Sequence, residues 1–286
     1  MTAEYFAFQA AFCFAVSHIL IRRGMVNSNA ITASFISLTM SALLLWSLVP
    51  FLVPLSAFWT PAIWYFIVAG VFAPGLGRTL NFIGIERIGI ARSVPIVNSS
   101  PIFASIFAVF FLGEVWVSQN ILGTSLVILG VVILSSIKPA GGPWRKMDVI
   151  YPVLGAVSFG ISANLRKAGL LVDNIPLMAA AVTAATAFLF SSVLLQLKGG
   201  RQVFKLPRTS LAWYFTAGLF NTAAMLSVFH ALSSGKVVIV EPLIASNPVL
   251  SIALTAIFLK DLEAISIRVM IGAICTVAGT LLVVTV

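Results

Sequence analysis

Ten apolar stretches, each long enough to cross a lipid bilayer as a helix, occupy this chain almost from end to end. A membrane-spanning helix needs about 20 consecutive, mostly apolar residues. The stretches lie at approximately residues 3–21, 31–53, 61–83, 90–112, 118–137, 149–166, 175–197, 210–231, 237–259 and 267–286. Because little sequence remains between them for a soluble domain, the predicted fold class is an all-α membrane protein with ten transmembrane helices.

The composition and the distribution of charge also indicate a membrane protein. Hydrophobic residues make up 60% of the chain and charged residues 9%, whereas a soluble domain usually carries about 25% charged residues. The net charge is +9, but Lys and Arg lie mostly in the short connections between the apolar stretches. We therefore interpret them as residues that orient the chain in the lipid bilayer, and we expect no binding to nucleic acid.

Several features of other protein classes are absent from the sequence. The motifs HExxH, GxSxG, CxxC and GxxxxGK[ST] do not occur, so we expect no enzyme activity, no metal, no cofactor and no ATP-binding domain. Cys13 and Cys275 lie within apolar stretches, where they are expected to pack as small apolar residues. No basic region precedes the first stretch, and we expect no cleavable signal peptide.

The two halves of the chain resemble each other. Residues 88–114 read IGIARSVPIVNSSPIFASIFAVFFLGE, and residues 235–261 read GKVVIVEPLIASNPVLSIALTAIFLKD. Each segment contains two prolines six residues apart, which are Pro95 and Pro101 in the first and Pro242 and Pro248 in the second. This internal repeat is typical of transporters that arose by duplication.

The repeat also predicts the arrangement of the halves. We assign residues 1–137 to the first repeat, 138–148 to a linker rich in Pro and Gly, and 149–286 to the second repeat. Five helices per half is an odd number, so the second repeat enters the membrane from the opposite side. The sequence therefore predicts two inverted five-helix repeats around a central cavity near the middle of the membrane.

The basic residues predict the orientation of the chain. Thirteen of them fall in connections on the side that is reached after the first stretch, and three, Arg166, Lys167 and Lys236, fall on the other side. Basic residues are enriched on the cytoplasmic side of membrane proteins. We therefore expect a multi-pass protein of the inner (plasma) membrane with both termini outside the cytoplasm.

The repeated segments identify a family resemblance. The run LNFIGIERIGIARSVPIVNSSPIFASIFAVFFLGE followed by LGTSLVILGVVIL, with FHALSSGKVVIVEPLIASNPVLSIALTAIFLKD and IGAICTVAGTLLV in the second half, closely resembles EamA-type members of the drug/metabolite transporter superfamily. The resemblance implies a ten-helix basket. Its central cavity would be lined mainly by the third, fourth, eighth and ninth helices, and partly by the first and sixth.

The same resemblance implies secondary transport of amino acids, other metabolites or drugs, often as export. Most relatives carry Trp where this chain has Phe14 and Phe159. His18 and Arg78 are not expected at their positions in the family, and we interpret them as candidates for substrate specificity.

Arg78 is the strongest candidate for a binding residue. It follows Pro74, Gly75 and Gly77 within the third stretch, where proline removes a helix hydrogen bond and glycine permits a kink. The guanidinium would then offer donors to a carboxylate or phosphate. The alternative is that Arg78 extends to the cytoplasmic surface along its aliphatic stem. Asn81 lies one turn further on, near the same helix face.

Small polar residues lie between the paired prolines. Asn98 and Ser99 fall in the first pair, and Ser246 and Asn247 fall in the second. They could satisfy the carbonyls that the prolines leave without a partner, or they could line the cavity while the prolines act as hinges; both interpretations stay open. Pro74, Pro95, Pro101, Pro242 and Pro248 are the candidate hinges. Ser251 continues the face of Asn247 one turn later.

Other candidates are titratable, polar or aromatic residues inside the stretches. Ionisable groups in the membrane usually face a cavity or a partner, and Glu241 is a possible proton carrier or a structural carboxylate. His18 and His230 are candidates for ligand contact or for hydrogen bonds between helices. The remaining candidates for the cavity wall are Asn164, Asn221, Phe82, Phe103 and Phe229.

The sequence thus favours a secondary active transporter, an exporter of a small organic metabolite such as an amino acid. The first alternative is a multidrug exporter of lipophilic cations with the same fold. Such an exporter needs an acidic residue such as Glu241, and the positive charge of Arg78 would repel its substrates. The second alternative is a membrane enzyme or scaffold, for which the sequence offers no catalytic motif. The expected partners are a small-molecule substrate and the lipid bilayer, and the chain could act as a monomer or a homodimer.

Overall fold

A computed structural model of the chain describes residues 3–100, 102–104, 106–107, 118–136, 145–197, 206–234, 244, 247–262 and 266–284. These residues are almost entirely helical, and no β-strand occurs among them. The helices of the first half are α1 (Ala3–Gly24), α2 (Ala30–Leu52), α3 (Ala62–Gly70), α4 (Gly77–Ile88), α5 (Ile90–Val97) and α6 (Ser118–Ser136). Those of the second half are α7 (Ile150–Val172), α8 (Pro176–Leu197), α9 (Arg208–Ser234), α10 (Asn247–Phe258) and α11 (Ile267–Val284).

Among the residues that the structure describes, six helical segments are long and apolar enough to span a membrane. They are Ala3–Asn27, Ala30–Leu52, Ala62–Ile88, Lys146–Val172, Pro176–Leu197 and Arg208–Ser234. Three shorter apolar helices are Ser125–Leu134, Asn247–Phe258 and Ile267–Gly279. The described part of the chain therefore has the helical structure of a multi-pass membrane protein, and each of the ten predicted stretches contains helix within it.

The surface of the bundle is apolar, as a lipid-facing surface must be. Large side chains such as Phe51 and Leu171 are 83% and 78% exposed. Such exposure would be unfavourable in water but suits hydrocarbon chains, which also favour helices because these satisfy their own backbone hydrogen bonds. Exposed Trp59 lies just before the start of α3 and exposed Trp64 lies in its first turn, a position typical of residues at the membrane interface.

The helices of the two halves interlock instead of forming two separate bundles. Helix α1 packs along α9, and in the equivalent pairing α3 and α4 pack along α7. Helix α2 packs on α8, and α6 packs on α11. This pattern of neighbours is unchanged when the two halves are exchanged, as expected for a pseudo-twofold relation between them. The interior of the bundle is consequently an interface between the halves.

The pair α6 and α11 shows how closely some helices approach. A Cβ atom added at Gly279 would lie 2.6 Å from the carbonyl oxygen of Gly123, and one added at Gly130 would collide with Thr276. Small residues allow such contacts between membrane helices, where close packing takes the place of the hydrophobic effect. These glycines are therefore required by the contact between α6 and α11.

One membrane-spanning segment is interrupted. Between α3 and α4, residues Val71–Leu76 form a π-helical turn. Within it the backbone of Ala73 is extended, with φ −152° and ψ 126°. Pro74 follows Ala73 and has no N–H to donate. The structure thus places a break where the sequence Pro-Gly-x-Gly predicts a kink.

Candidate functional site

The interruption between α3 and α4 is held by side chains from the other half. The hydroxyl of Ser162 on α7 donates to the carbonyl oxygens of Ala69, at 3.0 Å, and Ala73, at 2.9 Å. Nη2 of Arg166, one turn further along α7, donates to the same Ala73 oxygen at 2.7 Å. Carbonyls inside a membrane protein need such partners. Helix α7 therefore stabilises the broken helix of the first half.

The close approach of α7 depends on glycine. A Cβ added at Gly77 would lie 3.1 Å from the ring of Phe159, and one added at Gly155 would lie 3.3 Å from the carbonyl oxygen of Gly77. Gly77, the third residue after Pro74, and Gly155 on α7 thus permit α4 and α7 to meet at backbone distance. The glycines of the predicted kink act in helix packing as well as in the bend.

Arg78 is buried directly after the break. Its residue is 5% exposed, and its Nη1 atom has no hydrogen-bond partner. An arginine that extends to the membrane surface would keep its guanidinium exposed, so the burial favours an interior role. A buried donor without a partner costs about 1–3 kcal/mol. Arg78 is therefore positioned to donate a hydrogen bond to a group that binds in the protein interior.

Arg166 is a second basic residue of the same region, and the sequence analysis missed it. The predicted helix ended at residue 166, with Arg166 in a connection, whereas α7 continues to Val172. The Arg166 guanidinium carbon lies 5.6 Å from the centre of the Phe229 ring, within the range of a cation–π contact. Phe229 in turn meets Phe66 edge to face, with 6.3 Å between ring centres. The guanidiniums of Arg78 and Arg166 interact as like charges.

A chain of polar side chains crosses the interior at His18. The amide nitrogen Nδ2 of Asn81 lies 3.3 Å from His18 Nε2, and His18 Nδ1 lies 3.4 Å from the Ser251 hydroxyl. Ser251 donates to Asn247 Oδ1 at 2.7 Å. Because an amide nitrogen only donates, this arrangement makes Nε2 the acceptor and Nδ1 the donor of a neutral imidazole.

The same chain extends into α5. The Ser93 hydroxyl donates to Asn81 Oδ1 at 3.2 Å. Four predicted site residues, His18, Asn81, Asn247 and Ser251, are thus brought together with one that was not predicted, Ser93. We call these five residues the interior network. It joins α1, α4 and α5 of the first half to α10 of the second.

A separate polar cluster holds α9 against the first half. Nδ2 of Asn221 donates to the hydroxyls of Ser17 and Ser37 at 2.6 and 3.0 Å. Ser17 in turn donates to the Ala217 carbonyl at 3.4 Å. Asn221 is a predicted site residue, and its amide nitrogen binds α1 and α2.

Three further predicted residues bind helix backbone. Asn98 donates to the Val94 carbonyl at 2.8 Å and Ser99 to the Ile96 carbonyl at 2.6 Å, which supports the interpretation that they stabilise the end of α5. Asn164 donates to the carbonyls of Gly160 and Ala104 at 3.1 and 3.3 Å. Such bonds satisfy backbone groups between neighbouring helical segments.

The predicted aromatic and histidine residues occupy different environments. Phe82 is 1% exposed and belongs to an apolar cluster with Ile85 and Tyr214. Phe103 is half-buried, and its Cβ lies 2.9 Å from the position of a Cβ added at Gly160. His230 stacks on Phe6 with 5.4 Å between ring centres. These three residues are not among the contacts of the interior network.

Some predicted residues lie outside the part of the chain that the structure describes: Glu241, Ser246, Pro101 and Pro242. Of the other prolines, Pro74 marks the break, Pro95 is buried within α5, and Pro248 lies in the first turn of α10. Within the described residues, no group of three His, Cys, Asp or Glu side chains is arranged to hold a metal ion.

An open groove of about 710 Å³ lies elsewhere, between the ends of α1 and α10 and the start of α9. Its lining is mainly apolar and includes Leu20, Trp213 and Phe258, together with Arg23. Arg23 forms an ion pair with Asp261 at 2.8 Å. None of the predicted site residues lines this groove, so the buried polar region, and not the groove, is the candidate site.

Comparisons with known proteins agree with the observed fold. A solved structure, titled only as the crystal structure of a protein, aligns with 98% of this chain and 95% of its own, with 16% identity and a TM-score of 0.66. At this identity, the likeness shows a shared fold. No curated protein shows significant sequence similarity to the chain.

The family comparison covers both halves. The model of the EamA-like transporter family matches residues 1–136 and again residues 147–285. The two matches together account for nearly the whole chain, in agreement with its helical, two-repeat organisation. The chain therefore belongs to the EamA-like transporter family, a family of multi-pass membrane transporters of the drug/metabolite transporter type.

Proposed function

We propose that the protein is a secondary active transporter that exports a small organic metabolite with an anionic group, such as the carboxylate of an amino acid. The observation that carries this proposal is the buried Arg78 guanidinium, whose Nη1 atom has no hydrogen-bond partner. A carboxylate would accept from this donor and compensate the buried charge. Substrate would therefore bind beside the interrupted helix, between the two halves.

The proposed mechanism is alternating access by two inverted repeats. The exchange symmetry of the helix contacts supports a twofold relation between the halves, and the odd number of predicted helices in each half supports inversion. Rocking of one half against the other would open the interior first to one side and then to the other. The contact between His18 and Ser251 crosses this interface and would change as the halves move.

We further propose that the protein lies in a bacterial inner membrane with both termini outside the cytoplasm. The bias of basic residues supports this orientation. Fusion of a reporter that is active only in the cytoplasm to the C-terminus tests it. We expect no activity from that fusion and activity from a reporter that needs the external compartment; the reverse result would overturn the orientation.

The transport proposal is tested with purified protein in liposomes. Efflux and uptake of radiolabelled amino acids, other organic anions and lipophilic cations are measured with and without a proton gradient, against protein-free liposomes. We expect protein-dependent, saturable movement of a solute with an anionic group. Saturable transport of lipophilic cations alone would support multidrug export instead, and the absence of transport for every solute class would contradict the proposal.

A further inference from the structure

The open groove between α1, α9 and α10 changes in polarity along its length. We propose that it binds an anionic phospholipid of the surrounding bilayer, with an acyl chain in its apolar part and the phosphate group at its basic rim. The groove lies apart from Arg78, so this inference does not depend on which solute the protein transports. A lipid bound there would contact α1 of the first half together with α9 and α10 of the second.

The apolar part of the groove lies within the last turns of α1. Val16, Ile19 and Leu20 line it there, at the spacing that places side chains on one face of a helix. Leu254 on α10 also belongs to the lining. The volume of about 710 Å³ lies within the range of about 300–1,000 Å³ that is usual for small-molecule pockets. This part of the groove therefore suits an acyl chain.

The polar part of the groove lies at the helix ends. Arg23 and Asn27 line it at and just after the end of α1, and Thr209 and Ser210 line it in the first turn of α9. Guanidinium, amide and hydroxyl groups all donate hydrogen bonds, and phosphate oxygens are strong acceptors for such groups. The groove thus changes from apolar to polar toward the ends of the helices, as a phospholipid does from its chains to its headgroup.

The groove opens on the surface of the bundle that faces lipid. Trp213 and Phe258 line it and are exposed, whereas Arg78 and His18 are buried in the interior. Tryptophan near the end of a membrane helix is typical of the level of phospholipid headgroups. A molecule in the groove is therefore in contact with the bilayer, and a phospholipid can enter from the side.

The rim of the groove is held together by contacts within the protein. Arg23 donates to the carbonyl oxygen of Phe258 and, at 2.8 Å, to the carboxylate of Asp261. These bonds join the end of α1 to the end of α10. A phosphate group at the rim would bind beside a guanidinium whose position is already fixed.

The sequence around the rim carries an excess of positive charge. The segments that follow α1, precede α9 and follow α10 are residues 22–29, 198–209 and 259–266, and they contain seven basic and two acidic residues. The basic residues are Arg22, Arg23, Lys198, Arg201, Lys205, Arg208 and Lys260, and the acidic residues are Asp261 and Glu263. The count takes in every residue of these segments, so positive charges exceed negative ones whichever ion pairs form.

One further acidic residue, Glu86, lies near Arg22, and the excess remains when Glu86 is included. Basic pockets between membrane helices attract the headgroups of anionic lipids. The charge of the rim therefore favours an anionic phospholipid over a zwitterionic one.

The experiment compares two phospholipids that have the same acyl chains, the anionic phosphatidylglycerol and the zwitterionic phosphatidylcholine. Both are added to the purified full-length protein in mild detergent at constant ionic strength. Lipids that remain bound are counted by native mass spectrometry, and affinities are obtained from lipid-dependent thermal stabilisation, because a ligand of the folded state raises the melting temperature. We expect the wild type to bind phosphatidylglycerol at least about tenfold more tightly.

One pair of variants tests the rim. Arg208→Gln/Lys260→Gln removes two charges beside the groove and should lower the affinity for phosphatidylglycerol about tenfold, with little effect on phosphatidylcholine. The control is Arg145→Gln/Lys146→Gln. It removes the same two residue types at exposed positions near the start of α7, away from the groove, and should leave both affinities unchanged.

A second pair of variants tests the apolar part. Val16→Trp places a large ring in the groove and should lower the affinity for phosphatidylglycerol at least about tenfold. Leu43→Trp is the control, because Leu43 is exposed on α2 and does not line the groove. If Val16→Trp does not fold, the charge variants decide, since they change only exposed side chains.

Four outcomes would overturn the inference. They are equal affinity for the two lipids, equal loss of affinity in the two charge variants, unchanged lipid binding in a folded Val16→Trp variant, and a protein dimer without lipid that Val16→Trp dissociates. The last result would assign the groove to a second copy of the chain. None of these measurements uses transport, so their failure would leave the proposed transport function in place.

Discussion

The imidazole Nδ1 of His18 lies 3.4 Å from the hydroxyl of Ser251, although the two residues are separated by most of the chain. His18 belongs to α1 of the first half and Ser251 to α10 of the second. Their contact is therefore a direct polar link across the interface at which alternating access would act. Both residues are buried, so the link has no competition from bulk water.

The first prediction concerns this link. Ser251→Ala removes the hydroxyl between His18 and Asn247, and a neutral hydrogen bond contributes about 0.5–1.5 kcal/mol. We expect a shift of up to about tenfold in the equilibrium between inward- and outward-facing states, measured from the accessibility of cysteines introduced on either side. A double-mutant cycle with His18→Ala should show coupling. The control is Ser47→Ala, since Ser47 is exposed and bonds its own helix at Leu44; additive effects of the His18 and Ser251 variants would contradict the link.

The second prediction concerns the interrupted helix. Ser162→Ala leaves the Ala69 and Ala73 carbonyls with fewer partners, and we expect a loss of about 1–3 kcal/mol in the free energy of unfolding. Ser158→Ala is the matched control, because Ser158 lies one turn earlier on α7 and bonds only its own helix at Leu154. Denaturant unfolding in detergent measures both. Equal stability of the two variants would show that Ser162 does not support the break.

The interruption and the buried polar residues illustrate what the sequence makes predictable. Proline beside glycine has a local effect on the backbone, so the break at Pro74 follows from the residues themselves. Polar groups inside a membrane usually face a cavity or bind another polar group. This makes four residues of the interior network predictable from the sequence: His18, Asn81, Asn247 and Ser251. That these four meet in one network depends on which faces the helices turn toward each other, which no single stretch specifies.

The position of Arg166 could not be predicted from the sequence. A basic residue near the end of an apolar stretch can lie either in a connection or in the protein interior, and the predicted helix ended too early. Only the contacts with Ala73 and Phe229 distinguish the two cases. Phe82 and Phe229 lie on helices expected to line the cavity, and both pack in apolar clusters, but Phe229 also contacts the Arg166 guanidinium. The rotation of each helix about its own axis decides which groups these side chains contact, and this rotation is set by tertiary packing.

The third prediction concerns the contact between α6 and α11. In Gly279→Ala, the new methyl group would lie 2.6 Å from the Gly123 carbonyl oxygen, and backbone yields less readily than a flexible side chain. We expect a loss of about 1–3 kcal/mol in the free energy of unfolding. Gly155→Ala is the comparison, because its nearest atom, the backbone carbonyl oxygen of Gly77, would lie at 3.3 Å. This contact is also tight, so we expect a loss of stability that is smaller than in Gly279→Ala. Wild-type stability of Gly279→Ala would mean that the two helices separate without cost.

The fourth prediction separates stability from function at Arg78. Methionine has a similar length and no charge, so Arg78→Met removes a buried donor that lacks a partner at Nη1. We expect the ligand-free variant to gain about 1–3 kcal/mol in stability, seen as a higher melting temperature in detergent, and to lose binding of the transported solute. A lower melting temperature with the same loss of binding would assign Arg78 to the support of the fold.

The most direct test of the account is transport of the identified substrate by wild type and Arg78→Lys, reconstituted in liposomes at equal amounts of folded protein. Lysine keeps the positive charge but cannot reproduce the planar donors of a guanidinium. A charge-assisted bond of this kind contributes about 1.5–3 kcal/mol, so the account predicts a loss of about tenfold to a hundredfold in apparent affinity. Unchanged affinity and rate in Arg78→Lys would contradict the claim that Arg78 binds the transported anion.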